Sequence, residues 1–104
     1  MLIEINTDKN IESSEGLIAH FTDTVNDSLS RFDELITRIE VHISDENGSK
    51  EGGDDKRCLL EARLKGVAPI AVTNHAATVH QAVKGAADKM HHALEKVIGQ
   101  KAHH

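Results

Sequence analysis

Two stretches of strict alternation constrain this chain more than anything else in it. From Ile36 to Ser44, Thr37, Ile39, Val41 and Ile43 fall on one side and Arg38, Glu40, His42 and Ser44 on the other. From Lys56 to Lys65, Cys58, Leu60, Ala62 and Leu64 alternate with Arg57, Glu61, Arg63 and Lys65. A period of two places successive side chains on opposite faces of a strand, so each segment is a strand buried on one side and wet on the other. Between them lies SDENGSKEGGDD, where Asn47-Gly48 and Gly52-Gly53 are turn formers. The segments therefore predict an antiparallel hairpin with a long acidic tip.

A sheet with one apolar face needs a second layer. The sequence supplies two amphipathic helices. In the first, from about Ser14 to Phe32, the residues Leu17, Ile18, Phe21, Val25, Leu29 and Phe32 fall within an apolar arc of about 120°. Ser13 or Ser14 can cap it, and Glu15 complements its dipole. Its wet side carries Asp23, Asn26, Asp27 and Ser30. The second follows Asn74, a candidate cap, and is striped by Val79, Val83, Ala86, Met90, Ala93, Leu94 and Val97, with Gly99 as a candidate C-cap. Leu2 to Asn6 reads as a first strand, and Ile70 to Thr73 as a short fourth strand after a Gly66–Pro69 turn. The expected class is α+β, in the order β-α-β-β-β-α: a four-stranded mixed sheet with both helices on one face. The helical crossover makes the first two strands parallel, and the tight connections make the others antiparallel. Glu4, Arg38, Glu40, His42, Arg57, Glu61 and Arg63 then line the open face.

With 104 residues the chain is one domain, read as residues 1–100 with a tail at 101–104. Aromatic residues make up 2%, so the core is aliphatic. No segment has the length and apolarity of a membrane span, and MLIEINTDK lacks the basic and apolar regions of a secretion signal. The single cysteine, Cys58, suits a reducing compartment, so a cytoplasmic location is expected. Phosphate loops, dinucleotide fingerprints and nucleophile elbows are absent, and Cys58 sits at a core position. No enzymatic activity or cofactor is expected. The pairs His91/Glu95 and Asp88/His92 are one helical turn apart, but neither gathers a third ligand, so no metal site is expected.

Charge is divided unevenly. Residues 1–74 hold 8 Lys+Arg against 15 Asp+Glu, whereas residues 75–104 hold four lysines against Asp88 and Glu95, giving −7 + 2 = −5. Six of the eight histidines lie in this last part. On a helical wheel His80, Lys84 and His91 flank the apolar stripe on one side, and Lys89, His92 and Lys96 on the other. The second helix is thus the only basic element, and the first place to look for contact with an anionic partner.

The element order, the length, the strands ITRIEVHIS and KRCLLEARLKG, the run AVKGAADKMHHALEKV and the Asp88-Lys89-Met90 step together resemble the ribosome hibernation-promoting factor and ribosome-associated inhibitor family. The resemblance covers residues 1–100. It implies a small bacterial factor that binds rRNA of the small ribosomal subunit near the decoding region and silences translation under stress, through phosphate and shape contacts. Carried over by position, Lys89 matches a family lysine and Lys96 lies where further basic residues follow. Lys84 and His92 share the helix, and Arg57, Arg63 and Lys65 lie at the polar strand positions. Three features set this chain apart from the family pattern: His92-Ala93 where the last helix of members often continues Arg-Gln, an acidic first helix with Asp23 and Asp27, and an acidic hairpin tip. They support the alternative of a protein-binding stress module that has lost rRNA. An exposed edge strand could also support a weak homodimer.

Overall fold

The computed structural model describes residues 1–46 and 55–102. The expected turn formers of the hairpin tip, and His103 and His104, lie outside them. The elements are β1 (Leu2–Thr7), α1 (Glu15–Leu29), a 3-10 turn (Ser30–Phe32), β2 (Ile36–Asp45), β3 (Lys56–Leu64), β4 (Val67–Ala76) and α2 (Val79–Ala102). The sheet order is β1-β2-β3-β4. β1 runs parallel to β2, with Leu2 beside Arg38 and Thr7 beside Ile43. β2–β3 and β3–β4 are antiparallel. The α+β class and the element order are as expected.

α1 starts where Ser14, in an extended conformation, accepts the Leu17 N–H on its Oγ at 3.2 Å. It stops at Leu29 rather than Phe32. The last three residues tighten into a 3-10 turn, in which positions three apart eclipse, so Phe32 stays buried beside Leu29.

The strand pattern needs one correction. Thr37 is exposed, and both Ile36 and Ile39 are buried. A bulge between Ile36 and Arg38 inserts the extra residue. It turns Thr37 outward, where its hydroxyl donates to the Arg63 carbonyl at 3.0 Å.

The fourth strand is ten residues long, not four, and Asn74 lies inside it opposite Cys58 instead of capping a helix. Thr78 is the cap: its Oγ1 accepts the Gln81 N–H at 3.1 Å. Asn74 turns towards α2 and donates from Nδ2 to the Gln81 and Ala82 carbonyls at 3.3 and 3.2 Å. Gly85 makes room for it, since a Cβ there would lie 2.1 Å from Asn74 Nδ2. Gly99 does not end α2, which continues to Ala102.

The core is one aliphatic layer between sheet and helices. Ile39, Val41, Cys58, Leu60 and Ala62 from the sheet meet Val25 and Leu29 from α1 and Val83, Ala86, Met90 and Leu94 from α2, all of them fully buried. Burying each of the larger side chains contributes about 1.5–3 kcal/mol. Ile11, in the loop before α1, joins this core unannounced by any periodicity. At the base of the β2–β3 hairpin, Lys56 Nζ lies 3.2 Å from Asp45 and 2.9 Å from Asp55, both buried.

Candidate nucleic-acid interface

The sheet brings Arg38, Arg57 and Arg63 to its open face together with the carboxylates that offset them. Arg38 and Arg63 stand directly opposite each other, and Glu40 opposite Glu61 two residues on. Like charges therefore face directly across the strands, which by itself is unfavourable, and the unlike charges that meet along and diagonally between the strands offset it. Arg38 pairs with Glu4 and lies 3.8 Å from Glu40. Arg63 Nε lies 3.6 Å from Glu40 and 3.4 Å from Glu61. Arg57 Nε is 3.7 Å from Glu46, which also meets His75 Nε2 at 2.9 Å. The face is a mosaic without net positive charge.

The two flanks of α2 differ in the same way. On the flank towards α1, His80 packs edge-on against His20 and Phe21, with ring centroids 4.9 and 5.2 Å apart. His91 Nδ1 donates to the Ser28 carbonyl at 2.8 Å and stands edge-on to Phe32. Lys84 Nζ is held by Asp88 at 2.8 Å, in an open groove that Asp27 also lines. Glu95 meets Arg31 at 3.3 Å. This flank holds the helices together, and its lysine is neutralised.

The other flank carries Lys89, His92 and Lys96 at i, i+3 and i+7, and all three are exposed. Lys89 Nζ donates to the Thr73 carbonyl on β4 at 2.8 Å, a bond that leaves its charge uncompensated. His92 Nδ1 donates to the Asp88 carbonyl at 2.9 Å, so its Nε2 is left towards solvent. Among the described residues Lys96 has no carboxylate partner. Two residues connect β4 to α2, so α2 runs back along β4 and carries Lys96 towards the end of the sheet where Lys65 sits in the β3–β4 turn.

The seven residues singled out from the sequence therefore form no single surface. Lys89, His92 and Lys96 share one stripe with Lys65 beyond its end, Lys84 faces α1, and Arg57 and Arg63 project from the far side of the sheet. Sequence reasoning omitted Arg38, whose outward position it had placed. Lys56, although basic, is committed elsewhere: hydrogen bonds from its ammonium to Asp55 and Asp45 raise its pKa above 10.5. Burial pushes the Cys58 thiol up to about 12, so it stays protonated and is no nucleophile at neutral pH. Among the described residues no three His, Cys, Asp or Glu converge on a metal position, and no helix is long and apolar enough to cross a membrane.

The four-stranded β-α-β-β-β-α sheet with both helices on one face is an architecture shared with solved structures. The N-terminal domain of Thermus thermophilus Protein Y matches with a TM-score of 0.67 and 20% identity, over 93% of this chain and 99% of that one. A ribosomal subunit interface protein from Coxiella burnetii matches with a TM-score of 0.69 and 17% identity, over 95% of this chain and 99% of that one. Residues 4–101 match the model of the sigma 54 modulation protein / S30EA ribosomal protein family, and the chain belongs to that family. Comparison with curated protein sequences gives no significant match.

Proposed function

We propose that this protein is a non-enzymatic, cytoplasmic ribosome-associated factor that binds small-subunit rRNA through the outer flank of α2 and so restrains translation under stress. The observation that carries this reading is the Lys89–His92–Lys96 stripe. It is positive charge left uncompensated on a chain of net charge −5, in a member of a family that includes S30EA ribosomal proteins. A short row of cations spaced along a helix suits phosphates along one strand of a folded RNA, which proteins recognise by shape and backbone rather than by base edges. The absence of exposed aromatic side chains agrees with this, since both phenylalanines are buried and no stacking platform is offered.

The test is cosedimentation with small ribosomal subunits across a series of salt and pH. Binding is expected at low salt, to strengthen as pH falls through about 6.5, where imidazoles gain charge, and to weaken in Lys89→Ala and Lys96→Ala. No cosedimentation at low salt anywhere in that pH range would overturn the proposal.

A second reading rests on α1, where Asp23 and Asp27 are exposed and have no cationic partner among the described residues. That surface would suit a basic protein. A partner retained after nuclease treatment, and lost in Asp23→Asn/Asp27→Asn, would favour a protein-binding module over an rRNA-binding one.

A further inference from the structure

The two outer strands of the sheet are finished differently, and the difference points to a partner. Backbone alternation decides which groups each edge exposes. Glu46 N–H donates to the Asp55 carbonyl, so Arg57, Leu59 and Glu61 hydrogen-bond towards β2, and Cys58, Leu60 and Ala62 towards β4. Their β4 partners Asn74, Val72 and Ile70 thus face inward, and Ala71, Thr73 and His75 turn their N–H and C=O groups to the free edge. That edge is guarded. Lys89 covers the Thr73 carbonyl, and the His75 side chain is tied to Glu46. Lysines and other charges at an edge are a recognised obstruction to strand addition.

On the opposite side, Asp8 N–H donates to the Ile43 carbonyl. Asn6, Glu4 and Leu2 therefore face β2, and Ile3, Ile5 and Thr7 present their backbone groups to the free edge of β1. Among the described residues no side chain bonds to those groups. The strand has no proline or lysine, and its one charge, Glu4, is paired with Arg38. Beside this edge a recess of about 530 Å³ runs between β1 and α1, lined by Ile5, Thr7, Ser14, Ile18 and Ala19. Ile3, Ile5 and Ile18 are only half-buried there, at the point where the apolar layer ends without a neighbour.

We propose that β1 is a homodimerisation edge, pairing antiparallel with β1 of a second copy to make one continuous sheet across a two-fold axis. The strand is self-complementary in one register. With the axis at Ile5, Ile5 faces the second copy's Ile5, Ile3 faces its Thr7, and Glu4 faces its Asn6. All three edge-facing residues of each copy then find backbone partners. The isoleucines fill the recess from both sides. A shift of one residue in the position of the axis, to Glu4, sets Glu4 against Glu4, and like charges directly opposite destabilise a strand pair. An isologous edge of this kind closes on itself and stops at two copies, while Lys89 keeps the other edge from propagating the sheet. The edge lies across the sheet from the α2 stripe, so a dimer carries two rRNA stripes at its outer ends.

The experiment uses the full chain. Sedimentation equilibrium gives its mass, and amide exchange by NMR gives the location of contact, both between low and high protein concentration. The expected result is a doubling of mass with concentration, and exchange at Ile3, Ile5 and Thr7 slowed by about tenfold or more while Ala71, Thr73 and His75 are unchanged. A chain that stays monomeric to about 1 mM overturns the proposal, as does a dimer that protects β4 amides instead. Register is read by oxidative cross-linking. Ile5→Cys is expected to give a disulfide dimer, because directly opposed hydrogen-bonded residues lie about 5.5 Å apart at Cα, within disulfide range. Glu4→Cys should not cross-link, and equal cross-linking of the two would refute the stated pairing. These results are independent of whether the protein binds rRNA.

Discussion

The six lysines and arginines singled out from the sequence look alike there and should contribute differently to the proposed rRNA contact, because the fold has already neutralised some of them. The decisive perturbation is the pair Lys89→Ala/Lys96→Ala, compared with Lys84→Ala and with Arg63→Ala. Lys89 and Lys96 have no carboxylate partner among the described residues. Lys84 is held 2.8 Å from Asp88, and Arg63 sits between Glu40 and Glu61 at 3.6 and 3.4 Å. Each phosphate contact contributes about 0.7–0.9 to the slope of log K against log salt. At 0.1 M salt that corresponds to about 5- to 8-fold in affinity per contact, so the double variant should lose about 25- to 60-fold and flatten the slope by about 1.4–1.8. Lys84 or Arg63 must leave an existing carboxylate to reach a phosphate, and its replacement should cost less than about threefold, as expected for paired surface charges. Filter binding to purified small subunits between about 50 and 200 mM salt, at constant magnesium, gives both affinity and slope. If Lys84→Ala or Arg63→Ala costs as much as the double variant, compensation within the fold does not decide which cations bind, and the reasoning fails.

Three further outcomes follow from the same geometry. Glu40→Gln removes the carboxylate shared by Arg38 and Arg63 and should leave small-subunit affinity within about twofold; a gain approaching eightfold would mean that the open face touches phosphate after all. Gly85→Ala should be neutral or destabilising by about 1 kcal/mol in the parent chain, because Asn74 must give up its two bonds to α2, but stabilising by about 1 kcal/mol in an Asn74→Ala background, where only helix propensity remains. Urea unfolding of the four chains checks this sign reversal, and equal effects in both backgrounds would refute the clasp. The raised pKa of Lys56 makes its contribution fully present below 10.5 and lost as pH rises through the folded value. The stability difference between the parent and Lys56→Met should therefore be flat from neutral pH towards 10.5 and shrink above it, as read from unfolding curves at each pH.

The elements that sequence reasoning placed are those with a strong period, both helices and the β2–β3 alternation, and of the two caps it offered, Ser13 or Ser14, the structure uses Ser14. It failed where tertiary pairing overrides local pattern. Asn74 has the chemistry of a helix cap, but the backbone of β3 offers hydrogen bonds as far as Lys56, and pairing with it carries β4 to Ala76. Thr37 matches the apolar alternation, yet a bulge that only the β3 partner can impose turns it outward. Ile11 is an isolated apolar residue in a polar loop, and no window around it signals burial. For the site, the alternation told which face each charge takes. It did not tell which residue stands opposite, because register between strands is not written in either strand alone. Glu40 thus read as one more polar position, although it helps to neutralise two arginines. The stripe on α2 was visible on a helical wheel. That its two flanks differ in compensation depends on α1 and β4 lying where they do.

The parallel pairing of β1 with β2 sets an order of events in folding. Leu2 finds its partner only at Arg38, across the whole of α1, while β2, β3 and β4 are joined by near neighbours. Contacts between residues close in the chain form sooner, since less loop entropy is lost in closing them. The β2–β4 meander should therefore assemble first and β1 should be laid down against it afterwards, which pulsed amide labelling would detect as later protection at Glu4 and Asn6 than at Leu60 and Val72. During synthesis the order of emergence is the reverse. β1 leaves the ribosome before β2 and remains unpaired until β2 follows, and the apolar layer closes only when α2 is free to dock. The isoleucine-rich β1 therefore waits without a strand neighbour while α1 and β2 are made.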